Sequence, residues 1–314
     1  MASILANIVE RVLSQAKRVL VEKEDELKLI LASMIVDGHV LLEGVPGVAK
    51  TLMAKVVAAS FNLKFSRIQF TPDLLPSDIT GIKIYNPKTK DFEIRLGPIF
   101  ANIVLADEVN RASPRTQSAL LEAMQEKQVT IEGESWRLPE PFTVIATQNP
   151  IELEGTFPLP EAQLDRFLTK IDSKPPSKEG LKELLKRIDE IEDYVSKLRP
   201  VATSEDILAA RRETKKVHVD ESIYDYITRI VSETHNHHAV RLGSSPRGAI
   251  ALLKLSRAWA LMDGRDYVIP DDVKNVAVPA LSHRIILKPE YSLDHRASIR
   301  VIEEVLERVP VPKP

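Results

Sequence analysis

Apolar residues recur at helical spacing through the first 37 positions: Ile4, Ile8, Val12, Ala16, Val19 and Leu20, then Leu27, Leu29, Ile30 and Met34. That spacing predicts one or two amphipathic helices. From residue 39 to about 173 the pattern changes. Short apolar runs at 39–45, 64–70, 102–107, 142–149 and 167–172 read as strands and alternate with helical stretches. Such alternation predicts an α/β layer with a largely parallel sheet. Two stretches interrupt it. Residues 80–97 alternate polar and apolar positions around Asn86-Pro87-Lys88, and residues 127–138 do the same around Glu132-Gly133-Glu134. Each predicts a β-hairpin. One hairpin would be an ordinary connection. Two set into one α/β layer point to binding loops carried on a scaffold.

Ser173-Lys174-Pro175-Pro176-Ser177 marks a break. Beyond it strand signals fade, and helical patterns run through 178–197, 204–216, 220–235, 246–262, 271–281 and 294–308. Thr203 and Asp220 suit helix N-caps, Pro270 opens a turn or helix, and Gly264 suits a helix stop. The expected organisation is an α/β domain over residues 1–173, holding both hairpins, and a linker with an all-helical domain over residues 174–314. A length of 314 residues fits two domains.

Composition narrows the class. At 44% hydrophobic residues the chain has enough for a sizeable core. Lys and Arg number 43 against 45 Asp and Glu, so the net charge of −2 gives no general attraction to nucleic acid or anionic membranes. No apolar run is long enough to span a bilayer, and residues 1–20 lack the compact apolar stretch and small-residue cleavage site of a secretory signal. There is no Cys, hence no thiolate chemistry or disulfide. A cytoplasmic location fits these features.

The chemistry begins at Gly44-Val45-Pro46-Gly47-Val48-Ala49-Lys50-Thr51. An apolar strand precedes it, and Leu52-Met53-Ala54-Lys55-Val56-Val57-Ala58 continues as a helix. Strand, glycine-bearing turn, lysine, hydroxyl and helix form the layout of a phosphate-binding loop, in which main-chain N–H groups at a helix N-terminus face an anion. Gly44 through Leu52 are therefore the candidate nucleotide-binding residues. Lys50 would reach the outer phosphates and the Thr51 hydroxyl would hold Mg2+. The loop pattern asks for Gly at position 49. Ala49 adds a methyl group where the backbone approaches the phosphates.

Further along, Ile103-Val104-Leu105-Ala106-Asp107-Glu108 is a buried strand ending in two carboxylates. Alone, that pair reads as a solvated strand end. Beside the loop, Asp107 would bind magnesium and Glu108 would orient and activate the attacking water. The strand at 142–149 ends in Gln148-Asn149, where a side-chain amide can touch the γ-phosphate or cap the next turn. Arg166, next to Asp165, is either a surface ion pair of little energetic value or an arginine finger reaching a neighbouring subunit's nucleotide. Arg247 follows Pro246 at a helix start and reads as a γ-phosphate sensor in the lid or a plain surface cation.

Taken in order, these segments resemble the AAA+ ATPase family over nearly the whole chain. Finer stretches resemble its MoxR branch: Leu-Glu-Gly-Val-Pro-Gly at 42–47, Ala-Asp-Glu-Val-Asn-Arg-Ala at 106–112, Gln-Asn-Pro-Ile-Glu at 148–152, the run Gly155 to Phe167, and residues 245–248. Ala49 is tolerated in that branch. The resemblance implies a P-loop three-layer α/β domain with a parallel sheet, followed by an all-α lid. It assigns Lys50 and Thr51 to Walker A, Asp107 and Glu108 to Walker B, Asn149 to sensor 1, Arg166 to the arginine finger and Arg247 to sensor 2. It implies ATP and Mg2+ as cofactors, hexameric rings, and hairpins that face a pore or client. It also implies a chaperone role in assembling or activating protein complexes, often with von Willebrand factor A domain partners.

On the residues alone, three functions stay open. The first is an ATP hydrolase that turns nucleotide state into domain and subunit movement, with ATP at the junction of core and lid. The second is a monomeric phosphotransferase that makes no use of Arg166 in trans. The third is a nucleotide-dependent binding module or nucleic-acid remodeller, against which the charge balance argues. The cluster His235, His237 and His238 reads as a solvated helix end rather than a metal site, since no carboxylate or Cys completes a ligand set. Trp136 and Trp259 read as packing residues, with contact to a partner the alternative for Trp136 in its hairpin. Arg111 reads either as a structural ion pair or as a cation facing a neighbouring nucleotide.

Overall fold

The computed structural model describes residues 4–150, 155–292, 294 and 296–312. Two helices open the chain where the periodicity predicts them, α1 (Ile4–Ala16) and α2 (Glu24–Ile35). The α/β layer follows: β1 (Val40–Glu43), α3 (Lys50–Ser60), β2 (Phe65–Gln69), α4 (Pro76–Thr80), the hairpin β3 (Gly81–Asn86) and β4 (Asp91–Leu96), β5 (Ile103–Asp107), α5 (Pro114–Glu126), the hairpin β6 (Gln128–Ile131) and β7 (Glu134–Arg137), β8 (Thr143–Gln148), α6 (Glu161–Leu164) and β9 (Thr169–Asp172). The rest comprises α7 (Lys178–Val195), α8 (Ser204–Thr214), α9 (Glu221–Asn236), β10 (Val240–Leu242), α10 (Pro246–Met262), α11 (Pro270–Leu281), β11 (Ile286–Leu287) and α12 (Ala297–Arg308).

All five strands read from the apolar runs pair in one parallel sheet of order β2-β5-β8-β1-β9. Both faces are covered, which is why β5 and β8 carry almost unbroken apolar runs. The strand period of two sorts their side chains. Val40, Leu42, Ile103, Leu105 and Ile145 enter one apolar cluster, while Leu41, Val104, Ala106, Val144 and Ala146 enter the other. The first cluster also takes α1, α2, α3 and the C-terminal helices, so the apolar core runs continuously across residue 173. The second takes α5 and the hairpin β6–β7, including the partly buried Trp136. Trp259 packs partly buried against the first.

The C-terminal region departs from the all-helical expectation in one respect. β10 and β11 form a short antiparallel pair. Strands of three and two residues are too short to show an alternation. The linker at 173–177 is pinned. The Glu22 carboxylate accepts hydrogen bonds from the Ser177 N–H and hydroxyl (2.6 and 2.5 Å). Buried Lys23 donates to Ser173 Oγ and the Lys174 carbonyl (3.2 and 2.6 Å) and pairs with Glu26. The loop between α1 and α2 therefore fixes where the chain leaves β9. Among the described residues no helix is long and apolar enough to cross a membrane.

Candidate nucleotide site

In a parallel sheet every strand ends at the same edge, and the loops there carry the chemistry of open α/β folds. Here β1 runs into the loop 44–49 and then α3. Helices α5, α7, α8, α9 and α10 begin with a Ser, Thr or Asp side chain that accepts a first-turn N–H. α3 begins with Ala49, which has no side-chain acceptor. Its first-turn amides are therefore not taken by a side-chain cap and are available to an anion. Gly47 has φ +85°, and a Cβ on Gly44 would stand 2.5 Å from the Ser173 carbonyl oxygen, so both glycines are required by geometry. Lys50 Nζ lies 2.8 Å from the Gly44 carbonyl oxygen, folded across the loop. The Thr51 hydroxyl has no protein hydrogen-bond partner among the described residues.

Ala49 itself is left-handed, with φ +63° and ψ +21°. An L-residue there costs roughly 1–2 kcal/mol, which a glycine avoids at the expense of about 0.4–1 kcal/mol of unfolded-chain entropy. Ala49→Gly is therefore expected to stabilise the protein by about 0.5–1 kcal/mol. A urea midpoint that stays put or falls would contradict this.

The acidic pair ends β5 on the same edge. Asp107 is largely buried, and the Thr147 hydroxyl donates to its Oδ1 at 2.6 Å. Arg67, on β2, donates to its Oδ2 through Nη2 at 2.6 Å and Nε at 3.1 Å. Glu108 is left-handed, with φ +57°, a conformation retained at functional sites more often than elsewhere. Its N–H donates to Thr147 Oγ1 (2.9 Å), and its carboxylate accepts from Gln69 Nε2 (2.8 Å) and faces Arg111 Nη1 (3.3 Å). Arg111 is thus an ion-pair partner of Glu108 within its own chain. Asn149 is buried just beyond β8, whose last residue Gln148 is in register with Glu43. The segment 151–154, which completes the Gln-Asn-Pro-Ile-Glu match, lies outside the described residues.

Arg67 and Gln69 are functional-site residues that the sequence motifs do not single out: both are polar and two apart, so on one face of β2, but only the register that sets Gln69 beside Asp107 gives that face its meaning. Oxygen donors suit magnesium, and Thr51 and Asp107 offer a hydroxyl and a carboxylate at the loop edge. The residues fit that ion, with Arg67 now compensating the Asp107 charge.

The two predicted arginines are elsewhere. β9 runs parallel to β1 with Thr169 opposite Val40 and Asp172 opposite Glu43. Arg166 precedes Thr169, so it stands at the opposite edge of the sheet, across roughly 10 Å of strand. It is exposed, and its side chain has no ion pair or hydrogen bond among the described residues. Arg247 pairs with Asp165 at 3.2 Å. Arg166, Arg247 and Lys254 line a cavity of about 330 Å³ together with Asp37 and His39, which lead into β1. The structure does not bring Arg247 to its own phosphate loop, where the sequence reading set it as a lid sensor.

Comparison with known proteins agrees with this architecture. The family described as ATPase family associated with various cellular activities (AAA) matches residues 39–169, and the AAA lid domain matches residues 232–305. Chaperone MoxR1 of Mycobacterium tuberculosis is 41% identical over 97% of this chain and 82% of its own. The chain belongs to the MoxR family of AAA+ ATPases. An uncharacterised Bacillus subtilis relative, YeaC, is 50% identical over 97% of this chain and 95% of its own. A crystal structure from Cytophaga hutchinsonii, of a protein assigned as an ATPase, superposes with TM-score 0.91 at 42% identity, covering 98% of this chain and 96% of the other. As a MoxR-family protein the chain is a nucleotide-binding ATPase with an α/β core and a helical lid.

The histidine cluster is held by packing and hydrogen bonds, and His237 is buried rather than part of a solvated helix end. His237 Nε2 lies 2.9 Å from Glu304, His235 Nε2 lies 3.0 Å from the Ser244 carbonyl oxygen, and His238 packs on His237 and Tyr291. No group of three or more potential metal ligands occurs among the described residues.

Proposed function

We propose that this ATPase works as a ring of identical subunits, six in number, in which one subunit's loop holds ATP and the next subunit's arginines act on it. The observation that carries the proposal is the division of the charged residues between two edges of one sheet. Lys50, Thr51, Asp107, Glu108 and Asn149 gather at one edge, and Arg166 and Arg247 at the other. A lone chain cannot deliver both sets to one nucleotide while β9 stays in register with β1. A head-to-tail neighbour can, and such a heterologous contact closes into a ring when its rotation permits.

In this reading residues 1–173 form the nucleotide-binding core and 174–314 the linker and lid. The amides of residues 44–52 cradle the phosphates and Lys50 contacts the outer ones. Thr51 and Asp107 would hold Mg2+, which would supply positive charge to offset that of the phosphates. Asn149 contacts the γ-phosphate or the attacking water. Glu108 accepts the water's proton on its carboxylate, which requires release from Gln69 and Arg111. Arg166 and Arg247 of the neighbour stabilise charge on the transferred group. A monomeric phosphotransferase has no use for cations on the far edge, and the net charge disfavours nucleic acid.

The chaperone part rests on the MoxR1 relative's name and on the exposed apolar side chains of the hairpin β3–β4: Ile82, Tyr85, Phe92 and Leu96. The client would be a protein complex, a von Willebrand factor A domain protein among the candidates. A cytoplasmic setting, where ATP is supplied, is part of the same proposal. Glu108→Gln is expected to retain ATP binding while turnover falls by about 10²–10⁴-fold. The ATP-bound variant ring should then retain its client in a pull-down. Undiminished hydrolysis would remove Glu108 from this role.

A further inference from the structure

A third arginine sits beneath the arginine-bearing edge, and it faces no solvent. Arg284, just beyond α11, has a side chain only 3% exposed. Most of its guanidinium contacts go to one short peptide. Nε donates to Asp165 Oδ1 (2.9 Å), Nη1 to the Leu168 carbonyl (3.1 Å), and Nη2 to the carbonyls of Phe167 (2.6 Å) and Asp165 (3.3 Å). Nη1 also reaches the Ala280 carbonyl of the preceding α11 and lies 2.8 Å from His283 Nε2. His283 adds a contact, with Nε2 3.0 Å from the Phe167 carbonyl oxygen. Arg284 therefore holds carbonyls on both sides of Arg166. The second oxygen of Asp165 accepts from Arg247. One carboxylate thus joins two arginines of the lid region, and one of those fixes the backbone that carries Arg166.

We infer that Arg284 is the positioning residue of the arginine face: it locks the 165–168 peptide to the lid, so that Arg166 and Arg247 are presented to a neighbouring nucleotide as one rigid unit. This rests on the reading that both arginines act in trans. The planar fork matters, because a fixed array of N–H donors matches three carbonyls and a carboxylate of the 165–168 peptide at once, whereas an ammonium is a single point charge. Misplacing a catalytic group by about 1 Å can cost 10²-fold in rate. Lid movement and arginine movement become the same movement, which gives a route from the lid of one subunit to hydrolysis in the next.

The test is subunit mixing. Arg284→Lys keeps the charge and loses the fork. Its turnover is expected to fall by about a hundredfold, with binding of a fluorescent ATP analogue to its own loop unchanged. Mixed with Lys50→Ala subunits, whose arginine face is intact, it should regain turnover. Mixed with Arg166→Ala subunits, which carry their lesion on the same face, it should stay inactive. Asp165→Asn removes the shared charge while keeping the volume, and carries the same test if Arg284→Lys does not fold. Normal turnover in both variants overturns the inference. So does failure of both to be rescued by Lys50→Ala when Arg166→Ala is rescued, which would make Arg284 a structural residue only. If Arg166→Ala itself is not rescued, the trans reading falls and takes this inference with it.

Discussion

Arg166→Ala is expected to lower ATP turnover by about 10³-fold or more, a loss of about 4 kcal/mol of transition-state stabilisation, with ATP affinity unchanged. The side chain is exposed and has no protein partner among the described residues, so its removal should cost the fold little. Its chain's own phosphate loop lies at the other edge of the sheet, so it contributes nothing to ground-state binding there. A cation brought to the terminal phosphate only at an interface acts on the transition state and appears in the rate. The same geometry predicts that the wild-type protein loses turnover per chain on dilution below its assembly concentration. A kinetic series over protein concentration, run beside the variant, checks both. Concentration-independent turnover, or an Arg166→Ala variant of ordinary activity, would return the activity to the isolated chain.

The parallel sheet was legible because its strands are buried on both faces. Unbroken apolar runs such as Ile103 to Ala106 can hardly be anything but interior strand when turns bound them. The phosphate loop and the acidic pair were legible because their chemistry requires fixed neighbours in sequence: Lys50 next to Thr51, Asp107 next to Glu108. What the sequence hid was tertiary placement. Pro246-Arg247-Gly248 announces a helix start, but nothing local says which edge of the sheet that helix meets. The answer depends on Asp165 and Arg284, separated by 119 residues and joined at 2.9 Å. Arg67 was hidden for a similar reason. A lone arginine in a strand has no meaning until register sets its strand beside Asp107. The short pair β10–β11 was lost for want of length.

These placements bear on how the site is kept idle. Asp107 is matched by Arg67, and Glu108 by Gln69 and Arg111. Because Asp107 is far less exposed than Arg67, at 12% against 50% for the side chains, the arginine is the partner free to swing away. The acidic pair is therefore held by groups that can leave, while the arginine face is held by a buried group that cannot.

Acid should destabilise the protein first at that arginine-bearing edge. His39, one residue before β1, is buried. Its Nε2 lies 3.0 Å from the Met124 carbonyl oxygen, its Nδ1 accepts from the Val144 N–H at 3.0 Å, and its ring meets Phe142 edge-on. The accepting Nδ1 requires the neutral ring with the proton on Nε2. Burial pushes its pKa from 6.5 down to about 4. Burial and Arg284 likewise push His283 well below its ordinary value. The unfolded chain binds a proton at the His39 ring as pH drops below 6.5, whereas the folded chain does not until about 4. The His39 contribution is therefore complete above pH 6.5 and disappears progressively toward pH 4, and His283 acts in the same direction. For His39 alone the loss is about 3 kcal/mol by the lower limit. Urea unfolding measured across that interval should show stability falling with acid, and His39→Gln should flatten the slope at the expense of stability at neutral pH. An equal slope in the variant would mean that other groups set the acid limit. Because His39 and His283 flank the peptide that carries Arg166, the same protonation would loosen Arg166 and Arg247 while leaving the 44–51 loop at the far edge intact. Mild acid is thus expected to depress turnover before it depresses ATP binding.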